Sequence, residues 1–106
     1  MQSSELLSFV QQKVEDMKGR DIVTLDVRGK SSITDFMIIC SGTSNRHTKS
    51  IADHVAQESK QAGIGIMGIE GDKAGEWVLL DLGDVVVHVM LDDTRSFYQL
   101  EKLWSA

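Results

Sequence analysis

One stretch limits what this chain can become: residues 76–91, EWVLLDLGDVVVHVML. Two runs of β-branched and large apolar residues flank Gly83-Asp84, a pair suited to the two central positions of a tight hairpin turn. That turn sets a register. Leu82 faces Val85, Leu80 faces Val87 and Val78 faces Val89, and alternation along each strand puts all six on one side of the sheet. This side is wholly aliphatic and is expected to be core. The other side pairs Asp81 with Val86, Leu79 with His88 and Trp77 with Met90. It is apolar but carries polar groups and a tryptophan, the composition of a surface that meets a partner. The alternative for Trp77, Leu79 and Met90 is burial beneath a helix or in a homodimer.

The chain as a whole is short. Its 106 residues suffice for a single core, so residues 1–106 are expected to form one domain. The apolar stretches are strand-sized, which leaves no membrane span. The N-terminal MQSSELLSFV has neither the basic start nor the apolar run of a signal peptide. A lone cysteine forms no internal disulfide and suits a reducing cytoplasm. Net charge is −5, unevenly placed: residues 1–69 hold eight acids and eight bases, whereas residues 70–106 hold eight acids against Lys73, Arg95 and Lys102. The acidic surplus thus sits with the hairpin, where it repels phosphate backbones and DNA and attracts basic proteins. Plain solvation accounts for such asymmetry in many proteins.

In chain order, Leu6, Leu7, Val10, Val14 and Met17 recur at helical spacing, with Ser3 or Ser4 as cap and Gly19 as stop. Residues 22–28 alternate as a half-buried strand, with Val23, Leu25 and Val27 opposite Thr24 and Asp26. Residues 35–40 are apolar on both sides, as a central strand is. A second helix spans residues 44–62 and ends at Gly63, with Ile51, Val55 and Ala62 as its stripe and Ala52 and Ala56 for close approach. Residues 64–69 form a glycine-diluted strand, and residues 70–75 a polar loop. After the hairpin, Asp93 or Thr94 caps a terminal helix with Phe97, Leu100, Leu103 and Trp104 inward and Tyr98 outward. The order α-β-β-α-β-β-β-α predicts a mixed five-stranded sheet carrying helices, an α/β or α+β domain.

Several candidate chemistries are weak in this sequence. Strand, Gly42-Thr43-Ser44, helix is a geometry that binds anions, with Arg46, His47 and Lys49 nearby. Without Walker or dinucleotide glycine spacing, a plain N-cap explains it better. The same turn is similar to that of nucleotidyltransferases, whose two metals need paired carboxylates on a following strand. Residues 64–69 carry none, and Asp81 and Asp84 straddle a turn. Cys40 in an apolar strand reads as packing rather than a nucleophile. His47 and His54 lack a third fixed ligand. No catalytic residue, metal or cofactor is expected.

Together these residues resemble the ribosomal silencing factor, or Iojap-like, family. The resemblance runs through Thr34-Asp35-Phe36, Ser41-Gly42-Thr43-Ser44-Asn45-Arg46, Glu70-Gly71, Trp77, and Asp81-Leu82-Gly83-Asp84-Val85-Val86-Val87-His88. It continues through Arg95 and Tyr98 to Leu100-Glu101-Lys102-Leu103-Trp104. It covers essentially the whole chain; Met37 and His47 depart from the family's usual aromatic and glutamine. The resemblance implies a nucleotidyltransferase-like sheet without catalytic carboxylates. It also implies a cytoplasmic factor that binds the large ribosomal subunit through its fourteenth protein, on the intersubunit face, and blocks subunit joining when nutrients are scarce. Organellar relatives act in large-subunit assembly. On this reading Glu70, Trp77, Leu79, Asp81, Leu82, Asp84, His88, Met90 and Tyr98 are the expected partner-binding residues. An acidic protein on a ribosome is expected to seek a basic protein rather than the RNA. The rivals are a small nucleotide-binding or nucleotidyl-transferring enzyme working through residues 42–49, and a homodimer formed through the hairpin side.

Overall fold

A computed structural model describes residues 2–105, with side chains described through Leu103. Five strands form one mixed sheet in the order β1-β2-β5-β4-β3. In chain order the elements are α1 (Ser3–Asp16), β1 (Arg20–Asp26), β2 (Phe36–Gly42), α2 (Asn45–Gln61), β3 (Gly68–Glu70), β4 (Trp77–Asp81), β5 (Val85–Leu91), α3 (Asp92–Tyr98) and α4 (Leu100–Ser105). β2 and β5 run parallel at the centre, and every other pairing is antiparallel. The central pair is what its sequence demands: β2 and β5 are almost wholly buried, as strands covered on both faces must be.

The hairpin has the expected register. Trp77 pairs with Met90, Val78 with Val89, Leu79 with His88, Leu80 with Val87 and Asp81 with Val86. Leu82 N–H donates to the Val85 carbonyl at 2.9 Å, closing the loop over Gly83 and Asp84. Gly83 takes φ +88°, a left-handed conformation that glycine adopts without steric cost. Val78, Leu80, Leu82, Val85, Val87 and Val89 all join the core. There they meet Leu6, Val10 and Val14 of α1 and Ile51, Ala52 and Val55 of α2. Both long helices therefore cover one face of the sheet, and the second face is left to the chain's C-terminal end.

Local details differ from the sequence expectation. Ser3 is already helical in α1, whose N-cap is Gln2 without a side-chain bond. The left-handed residue after that helix is Lys18 (φ +59°), and Gly19 follows it. In β1 the expected alternation holds: Val23 and Leu25, half-buried, pair with Ile39 and Met37 on the second face, and Thr24 on the helix face bonds Gln11. Ala62 is exposed, and Thr48 and Ser59 complete the buried stripe of α2 in its place. β3 shrinks to three residues, Gly68–Glu70, leaving out residues 64–67 with Gly65 and taking in Glu70 from the expected loop.

The largest departure is at the C-terminal end. The expected single helix is broken at Gln99, which sits at φ +51° between α3 and α4. Phe97 is 80% exposed and Leu103 71% exposed, so neither lies inward as periodicity suggested. The break interrupts the 3.6-residue phase, so the apolar residues before and after it do not share a stripe. The Trp104 side chain lies outside the described residues.

Candidate partner-binding site

The second face is partly roofed. Alternation along β2 turns Ser41 away from Cys40 and the helix-side core, and Arg95 of α3 donates to the Ser41 hydroxyl at 2.9 Å. Arg95 also donates to the Glu101 carboxylate, which joins α3 to α4 across the break. Burial pushes the Glu101 carboxyl up, but the hydrogen bond and charge of Arg95 outweigh it and leave it below its ordinary range. Thus anchored, α3 carries Tyr98 onto Trp77.

The result is a graded row of rings. His88 lies under Trp77, with ring centroids 5.9 Å apart. Trp77 meets Tyr98 at 4.8 Å, and Tyr98 meets Phe97 edge-on at 5.0 Å. His88 is 6% exposed, Trp77 is half-buried, Tyr98 is 51% exposed and Phe97 is the most open. The Trp77 indole N–H donates to His88 Nδ1 at 3.0 Å, which puts the imidazole proton on Nε2. Burial lowers the His88 pKa to about 4, so the ring is neutral at pH 7 and stays an acceptor for the indole. On the other side of Trp77, a shallow concavity of ≈ 400 Å³ is lined by Glu70, Gly71, Trp77 and Leu79. An apolar wall with a carboxylate at its edge is chemically matched to an apolar or aliphatic side chain that carries a positive end.

The expected site residues thus divide. Glu70, Trp77, Leu79 and Tyr98 come together, with His88 beneath as support rather than surface. Met90 is fully buried: it lies between Trp77 and Ser41 in neighbouring strands, and α3 starts two residues later and folds back against β5 and β2. Leu82 is 5% exposed on the helix-covered face. Neither presents itself to a partner. Asp81 lies four residues from Trp77, about 13 Å along the strand. Its carboxylate accepts the Gly83 N–H at 2.8 Å, and Asp84 lies beyond it at the turn. Of the three acids expected at the rim, only Glu70 lines the concavity with Trp77. Phe97 was missed because helical phase placed it inward; α3 instead turns Arg95 and Tyr98 toward the sheet, which leaves Phe97 outside.

The other candidates resolve into structure. At the head of α2, His47 N–H donates to Ser44 Oγ at 3.1 Å and Thr43 N–H donates to His47 Nδ1 at 2.9 Å. His47 Nε2 then donates to the Met17 carbonyl at 2.8 Å. Two N–H groups that an anion would use are therefore already bonded. His54 Nε2 stands 3.6 Å from Asp16, a contact between α2 and α1. Among the described residues no group of three His, Cys, Asp or Glu side chains could hold a metal ion. Burial pushes the Cys40 thiol up to about 12, which removes its thiolate at neutral pH. No helix among the described residues is long and apolar enough to cross a membrane.

Fold and site together define a small α+β protein with an exposed aromatic face. Comparison with known proteins names the class more closely. The family model described as "Ribosomal silencing factor during starvation" matches residues 1–106. A ribosomal silencing factor from Haemophilus influenzae is 50% identical over 100 residues, covering 94% of this chain and 98% of that protein. A mouse protein named "Mitochondrial assembly of ribosomal large subunit protein 1" is 35% identical over 103 residues, covering 94% of this chain and 43% of its own length. A crystal structure of a Chromobacterium violaceum protein superposes with a TM-score of 0.97 at 44% identity, covering all of this chain and 88% of that one. The chain belongs to the ribosomal silencing factor family.

Proposed function

We propose that this protein is a cytoplasmic factor that binds the large ribosomal subunit through its fourteenth protein, on the face that meets the small subunit. By occupying that face it blocks subunit joining and lowers translation when nutrients are scarce. The observation that carries the proposal is the continuous Tyr98–Trp77–Leu79 surface with Glu70 at its edge, in a chain of this family. An aromatic anchor supplies affinity by burial, and a carboxylate beside it favours a basic protein. The name of the mouse relative supports the large subunit as the target. Occupancy alone suffices for this role, and no turnover is required of the protein.

Co-sedimentation with isolated large subunits, followed by a joining assay with small subunits, tests the proposal. Added protein should move with large subunits and reduce the fraction of joined ribosomes on a gradient. Protein that stays at the top of the gradient, or that rides on large subunits without reducing joining, would overturn it.

A further inference from the structure

The head of α2 grips the loop that leads into Trp77. Asn45 Nδ2 donates to the Ala74 carbonyl at 2.7 Å. The Thr48 hydroxyl sits between the Asn45 carbonyl, at 2.8 Å, and the Gly75 carbonyl, and its one proton is shared between them. Thr48 is fully buried and Gly75 is buried against Asn45, where a Cβ on Gly75 would lie 2.8 Å from the Asn45 carbonyl oxygen. The loop also closes on itself. Gly75 N–H donates to the Gly71 carbonyl at 3.0 Å, and Gly71 at φ +79° lies so close to Trp77 that a Cβ would fall 2.0 Å from the Trp77 carbonyl oxygen. Residues 71–76 are thus tied at one end to α2 and at the other to the wall of the groove.

We infer that Asn45 and Thr48 are positioning residues for the partner-binding groove: by holding the carbonyls of Ala74 and Gly75 they set Glu70, Gly71 and Trp77 in their bound arrangement before a partner arrives. The inference rests on the proposed function for its consequence, and on the clamp geometry for its mechanism. It gives the head of α2 a task other than anion binding. Neither clamp residue lines the groove. A groove already in its bound arrangement avoids the ordering cost that a mobile loop carries into a complex.

Asn45→Asp separates this role from plain stability. The carboxylate has the same shape but donates nothing to the Ala74 carbonyl. The first turn of α2 contains no acid, and a carboxylate there favours the helix through its dipole. This gain offsets the lost hydrogen bond in part, so the melting temperature should change little. Amide exchange at Gly75 should accelerate by about tenfold or more while Val78 and Val87 are unchanged. Affinity for isolated large subunits should fall by about fivefold. In a Trp77→Ala background the same change should cost nothing further, because the clamp acts through the groove. Thr48→Val should reproduce the faster exchange at Gly75, and Thr48→Ser, which keeps the hydroxyl, should restore slow exchange. Unchanged exchange at Gly75 in Asn45→Asp would overturn the clamp. Faster exchange with unchanged affinity, or an equal further loss in the Trp77→Ala background, would overturn the positioning role. Wild-type protein that ignores large subunits would overturn the proposed function and, with it, the positioning role, while exchange at Gly75 would still decide the clamp.

Discussion

His88 is a titratable ring in a buried central strand, kept neutral by its surroundings and used as an acceptor by Trp77. Its pKa falls from the ordinary 6.5 to about 4 on folding. Between those values the unfolded chain binds a proton that the folded chain refuses. The stability His88 allows is therefore complete above pH 6.5 and declines as pH falls toward 4, by about 3 kcal/mol over the window. His88→Gln keeps an acceptor for the indole but does not titrate. Its urea midpoint should change less than that of the wild type between pH 7 and 4.5; equal changes would count against this origin. Trp77 and Val87, on opposite faces, should separate binding from folding. Val87→Ala opens a cavity in the core and should cost about 2 kcal/mol of stability while the folded fraction still binds large subunits. Trp77→Ala removes a half-buried ring, so the domain should still melt cooperatively, but about 2 kcal/mol of binding should go, near thirtyfold in affinity. Measuring both variants by thermal melts and co-sedimentation checks the pair, and an exchange of the two outcomes would mean the faces are reversed.

At the scale of elements, the ends are less regular than the middles. α1 stops with Lys18 at φ +59°, where a side chain is strained and glycine is the common choice. Lys18→Gly should stabilise the protein by about 0.5 kcal/mol, the relief of strain being partly offset by the freer unfolded chain. An unchanged or lowered denaturation midpoint would show that Lys18 holds that conformation through contacts of its own. The hairpin was legible because its signal is local: one glycine-containing turn and strict alternation on both sides determine every pair. The C-terminal break was not. Nothing in residues 92–105 breaks a helix by composition, and the left-handed Gln99 is held by the Arg95 bonds to Ser41 and Glu101, one of them spanning 54 residues of sequence.

Across the whole molecule, charge and apolar surface meet at one edge. Glu70 borders the groove, while Asp81 and Asp84 lie at the far end of the hairpin. Charge reversal at these sites should therefore be unequal. Glu70→Lys should slow association with large subunits more than Asp84→Lys, and the difference should shrink as salt rises, since screening acts over roughly 10 Å at 0.1 M. Stopped-flow association rates at two salt concentrations check this. Equal effects from both reversals would mean that only net charge steers the encounter.

The sequence by itself determined the mixed sheet, the register of its hairpin, the aliphatic core and the side of the sheet on which Trp77 lies. Each follows from short-range rules, side-chain alternation and turn stereochemistry, that act between neighbours. Only the tertiary structure decided which second-face residues remain open. Met90 and Trp77 are partners in one pair, yet α3 and the adjoining strands bury the first and leave the second half-buried. Leu79 and Glu70 form a groove because β3 pairs with β4 and the clamped loop returns beside Trp77. Exposure depends on what distant segments fold over a residue, and periodicity along one segment carries no record of that.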